Sequence, residues 1–144
     1  MFCNPYPTSC PHNAIDAAIA STTTALLDNT TSGSDGYGAP LSTTILAGLN
    51  MPVKKCGRTT DCTTGKVSGI NAIVDVGYGA SGVARFVGQI VVTPGSFSAG
   101  GDSGSLIVVN GKGKFKNDTN KPVGLLFAGG GAHFDDREPD RRGA

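Results

Sequence analysis

Apolar and polar positions alternate along the middle of the chain with the period of two that sends successive side chains to opposite faces of a strand. Five stretches between turn residues read as strands, 52–57, 65–77, 84–93, 105–110 and 122–127, the second of them alternating for most of its length. In Gly65-Lys66-Val67-Ser68-Gly69-Ile70-Asn71-Ala72-Ile73-Val74-Asp75-Val76 the alternation predicts one bulge at Gly69, with Val67 and Ile73 facing a core on either side of it. Gly111-Lys112-Gly113-Lys114-Phe115-Lys116-Asn117-Asp118 reads as a hairpin loop between the last two strands.

Outside these stretches the pattern changes. Residues 13–27 are rich in Ala and Ile and fit a short helix or a buried strand. Residues 29–40 have the composition of a solvent-exposed loop, with nothing expected to anchor them. Residues 132–144 hold seven charged side chains (Asp135, Asp136, Arg137, Glu138, Asp140, Arg141, Arg142) and are expected to be disordered.

The 22 glycines and 8 prolines among 144 residues, with many Thr, Ser and Val, agree with short strands and tight turns. The expected class is all-β, mainly antiparallel, with one domain's worth of core and too little chain for two six-stranded barrels. A net charge of +1 with scattered Lys and Arg argues against a nucleic-acid partner. No apolar run approaches the roughly 20 residues of a membrane helix, and the first residues lack the features of a signal peptide, so no membrane is expected and the location stays open. Cys3 with Cys10 and Cys56 with Cys62 can close small loops in an oxidising compartment; the gaps do not suit zinc, and no metal or organic cofactor is expected.

The chemistry concentrates at Gly101-Asp102-Ser103-Gly104-Ser105. A serine nucleophile needs a neighbouring base and N–H donors aimed at a developing oxyanion. Gly101 permits a tight turn in which the N–H groups of Gly101 and Ser103 converge, and Gly104 leaves room for a substrate. In a chain this rich in glycine, Gly-Asp-Ser-Gly arises by accident with odds of roughly one or two per cent, so its surroundings must decide. The strand Ser105-Leu106-Ile107-Val108-Val109 and a second, Pro122-Val123-Gly124-Leu125-Leu126-Phe127-Ala128-Gly129, follow it.

Here the chain resembles the chymotrypsin/trypsin-like serine peptidases. It is similar above all to a microbial branch with segments like Lys55-Cys56-Gly57-Arg58-Thr59-Thr60, Thr63-Thr64-Gly65 and Asn13-Ala14-Ile15-Asp16-Ala17-Ala18-Ile19-Ala20. The resemblance spans about 13–130 and implies the second β-barrel of a two-barrel fold, incomplete, over 41–131, with 1–28 as a remnant of the inter-barrel segment. It implies Ser103 as nucleophile, Gly101 and Ser103 as oxyanion donors, and Asp102 as a buried structural carboxylate. Phe127, Ala128 and Gly129 would line a cleft for an extended peptide, with Phe97 at the floor of the primary specificity pocket or simply in the core. Asp16 fits the carboxylate that orients the histidine; alternatively it lies in the first turn of a helix capped by Asn13.

The base is missing from this pattern. His12 lies too near Asp16 in sequence to reach Ser103, and His133 falls beyond the last strand. The resemblance therefore implies serine endopeptidase chemistry in the parent family, acting on peptide or protein substrates. This chain is expected to be an inactive fragment, with a non-catalytic peptide-binding module as the alternative and a partner or missing domain covering the exposed barrel face. For one choice of codons, a one-base shift over 131–144 yields an Asn-Pro-initiated apolar helix like the family's closing element, so a frame-shifted tail is a further expectation.

Overall fold

The computed structural model describes residues 1–31 and 35–129. Its main feature is one sheet of six strands: β1 (His12–Asn13), β2 (Pro52–Gly57), β3 (Asp61–Gly77), β4 (Val83–Thr93), β5 (Leu106–Val109) and β6 (Pro122–Leu125). Their order is β1-β4-β3-β2-β5-β6, and every neighbouring pair is antiparallel except the two-residue parallel contact of β1 with β4. With β1 and β6 at opposite edges, the sheet is an open half-barrel and the chain is mostly β. Short 3₁₀ turns at Gly79–Ser81, Gly95–Phe97 and Gly113–Asp118 join the strands, the last occupying the expected hairpin loop.

β2 alternates between buried and half-buried positions, whereas β5 buries Ile107, Val108 and Val109 in succession. β2 has the expected bounds, and β3 begins four residues early because Cys56 and Cys62 are paired partners at the tip of the β2–β3 hairpin. Both cysteine pairs are disulfides, Cys3–Cys10 and Cys56–Cys62. The core gathers Met51, Val53, Val67, Phe97, Ile107 and Val109, with Val92, Val123 and Leu126 packed against it.

Three expectations are corrected. Val67 is fully buried, but Ile73 is 67% exposed. The β3–β4 ladder shifts register between Val67 and Gly69, again between Gly69 and Ala72, and again between Ala72 and Val74. Each irregularity alters which face a later residue occupies, so a reading with one bulge at Gly69 misplaces Ile73.

Residues 13–27 form neither a helix nor a long strand, apart from Asn13 in β1 and a 3₁₀ turn at Thr24–Leu26. The Asn13 side chain is spent elsewhere: its amide donates to Met1 O (2.9 Å) and Arg85 O (2.9 Å), and its Oδ1 accepts from the N-terminal amine (2.7 Å). It is therefore not a cap for a following turn.

The loop expected over 29–40 is tied down at Tyr37. The Tyr37 carbonyl accepts from Asn120 Nδ2 (2.8 Å), its hydroxyl reaches Leu106 O (3.5 Å), and Thr31 bridges to Gly38. The Tyr37 carbonyl and hydroxyl supply an anchor that composition alone hides. The charged tail and His133 lie outside the described residues.

Candidate functional site

Alternation along the start of β2 puts Met51, Val53 and Lys55 on one buried face. A lysine there must find a partner, because an uncompensated buried ammonium is costly. The partner is Asp102, 1% exposed, whose Oδ2 lies 3.3 Å from Lys55 Nζ. The lysine also donates to Thr60 Oγ1 (2.5 Å) and Asp61 O (3.1 Å).

The carboxylate of Asp102 collects four further donors. Thr59 N (2.7 Å) and Thr60 N (3.2 Å) bind Oδ1, while Thr60 Oγ1 (2.7 Å) and Ala99 N (3.0 Å) bind Oδ2. The Ala99 N–H, then the Thr60 hydroxyl and the Thr59 and Thr60 amides, hold this carboxyl far below the usual carboxylate range against the opposing effect of burial. Gly57 is required by the same packing, since a Cβ there would lie 2.6 Å from Asp102 Oδ1 and 2.7 Å from Ser105 Oγ. Asp102 thus fastens the β2–β3 hairpin tip to the segment that carries Ser103.

That segment is a tight turn. Asp102 N donates to Ala99 O (3.1 Å), Ser105 N to Asp102 O (3.0 Å), and Gly104 N to Leu126 O (2.7 Å). Gly101 has φ +100° and Gly104 φ +88°, the left-handed region in which side chains are strained. Ser103 is exposed at the crest, and its hydroxyl donates to Phe127 O at 3.3 Å. Among the described residues the N–H groups of Gly101 and Ser103 have no backbone acceptor.

Two recesses flank the turn. Ser103 and Gly101 line a polar one of about 610 Å³ together with Arg58, Asp35, Asp61 and the Cys56–Cys62 disulfide. The other, about 670 Å³ and mostly apolar, lies in the hollow of the half-barrel. It brings together Asp16, Phe97, Phe127, Ala128 and Gly129. Phe97 is 3% exposed and belongs to the core cluster while also reaching this wall.

Asp16 is therefore placed with the expected cleft residues and in a different recess from Ser103. Its carboxylate accepts from the Tyr78 hydroxyl. Burial first, and this bond second, push the Tyr78 hydroxyl up to about 12. His12 sits in β1 opposite Arg85 and lines neither recess. Among the described residues no three His, Cys, Asp or Glu side chains gather in a metal-binding cluster.

Reading the sequence missed the roles of Lys55, Thr59 and Thr60. The signal for Lys55 was available, since it falls in phase with Met51 and Val53; no local signal announces the two threonines. The chain matches no protein-family model and no curated protein.

Proposed function

We propose that this chain is a peptide-binding module built on serine-peptidase architecture, the second barrel of a chymotrypsin-like fold, with Ser103 in the nucleophile's place. The observation carrying this reading is the exposed Ser103 hydroxyl on a turn whose preceding residue, Asp102, is buried and held by five donors. So much fixed polar structure beneath one exposed serine suits a group that must be presented in a set geometry.

In an active member of the resembled family, a base takes the Ser103 proton as Oγ attacks the peptide carbonyl, and the Gly101 and Ser103 N–H groups receive the oxyanion. An acyl-enzyme forms, the amine leaves, and water releases the acid. Here the hydroxyl is bonded to a carbonyl, which cannot accept its proton in that step, and His12 lines neither recess. Binding without turnover is the expected behaviour. The apolar hollow bordered by Phe97 and Phe127–Gly129 favours an uncharged side chain, and the outer edge of β6 beyond Pro122, whose carbonyl already accepts from Ile45 N, offers main-chain groups to an extended peptide.

The test is titration with a library of fluorescent hexapeptides, followed by anisotropy and by mass spectrometry for cleavage. Saturable binding of apolar peptides, kept by Ser103→Ala and lost in Ala128→Arg, with no cleavage, is expected. Cleavage abolished by Ser103→Ala would instead mean a working peptidase, and neither binding nor cleavage would overturn both readings.

A further inference from the structure

We propose that the Cys56–Cys62 disulfide is a redox modification site that locks the Ser103 turn, opened by a dithiol reductant. The two cysteines are register partners across β2 and β3, six residues apart, and the bridge closes the hairpin tip. Everything that fastens Asp102 from this side lies at that tip or beside it. Lys55 precedes Cys56, Gly57 follows it, and Thr59 and Thr60 lie inside the closed loop. Thr59 also donates its hydroxyl to Gly100 O (2.8 Å), so the loop grips the Ser103 segment on both sides of Gly101.

The bridge is reachable. Both cysteines are only partly buried, and both line the polar recess that Ser103 and Gly101 share. A thiolate entering that recess meets the disulfide before it meets the core. The other bridge, Cys3–Cys10, closes a loop on the N-terminal segment, where Cys3 N bonds Val83 O, and no part of it touches the Asp102 network.

The chemistry balances through thiol–disulfide exchange. A thiolate of the dithiol attacks one sulfur, the S–S bond breaks, and the other cysteine leaves as a thiolate and takes a proton. The second thiol of the reductant resolves the mixed disulfide. Two electrons and two protons pass to Cys56 and Cys62, and the reductant becomes a cyclic disulfide. Without the covalent closure, residues 57–61 gain the freedom that the bridge removed, and the Thr59 and Thr60 amides leave Asp102 more often.

Amide hydrogen exchange on the whole chain, oxidised and treated with dithiothreitol, tests this, with Cys3→Ser/Cys10→Ser as background so that only one bridge responds. The expected result is exchange faster by about tenfold or more at Thr59, Thr60 and Ala99, with Val53, Val67 and Val109 unchanged. Unchanged protection at Thr59 and Thr60 would overturn the lock. Equal loss at the three valines would overturn it too, since the bridge would then be a staple of the whole fold. Cys56→Ser/Cys62→Ser should reproduce the reduced pattern without reductant, and failure to do so counts against it.

The functional consequence rests on the peptide-binding reading: reduction is expected to weaken peptide affinity several-fold. Local opening with unchanged affinity would overturn that link while leaving the lock intact. Absence of peptide binding in the oxidised protein would count against the peptide-binding reading and not against the exchange result.

Discussion

Lys55 and Asp102, 47 residues apart, meet with Nζ and Oδ2 at 3.3 Å and both side chains wholly shielded from solvent. Removing one partner leaves the other charged and buried, whereas a neutral pair of similar volume does not. Lys55→Met or Asp102→Ala alone is expected to lower the melting temperature by about 10 °C or more. The double change should lose less than the two single losses added together. Thermal unfolding followed by circular dichroism measures this, and strictly additive losses would mean the pair is not coupled.

The same carboxylate governs acid stability. Its folded pKa lies below the unfolded value, so the unfolded chain binds the proton first as pH falls. The stabilisation is complete above the unfolded value of about 4 and is lost as the pH drops from there through the folded pKa. Urea midpoints between pH 2 and pH 6 should fall more steeply below pH 4 for the native protein than for Asp102→Asn.

Tyr78 behaves in the opposite sense. Its folded pKa is raised to about 12, so its contribution is whole below the unfolded value of about 10 and vanishes as the pH rises through 12. Tyrosinate absorbance near 295 nm should show this residue ionising after an ordinary tyrosine. Asp16→Asn should lower its pKa toward that of an ordinary tyrosine, since the bond to the Asp16 carboxylate is lost.

Gly101→Ala is expected to destabilise the fold by about 1 kcal/mol or more and to disturb the Ser103 turn. Its φ of +100° disfavours a side chain, and the added Cβ meets the Thr59 hydroxyl and lies 3.3 Å from Arg58 Nη1. Gly100→Ala, with open space around it, is the control. Equal urea midpoints for the two variants would contradict the required backbone geometry.

The corrected faces of β3 give a further comparison. Val67→Ala removes a fully buried side chain from the core and should cost about 2 kcal/mol. Ile73→Thr should change stability by less than about 0.5 kcal/mol. Comparable losses at the two positions would restore the simpler alternation read from the sequence.

Five of the strands, the bulge at Gly69 and the turn-forming glycines around Ser103 were legible in the chain itself. Strand alternation and turn chemistry are properties of neighbouring residues, so a short window holds all the information they need. The face taken by Ile73 was not legible, because it depends on a count of register shifts that only the pairing of β3 with β4 fixes. Tyr37 reads as loop until Asn120, 83 residues away, donates to its carbonyl.

The site divides in the same way. The sequence marked Ser103 and its glycines, while the burial of Lys55 went unread although it falls in phase with Met51 and Val53. Tertiary structure alone chose what that lysine meets and put Asp16 in a different recess from Ser103. A buried charge specifies that it must be compensated, but which distant carboxylate compensates it is set by sheet order, β2 lying against β5 and bringing the segment before β5 over the hairpin tip.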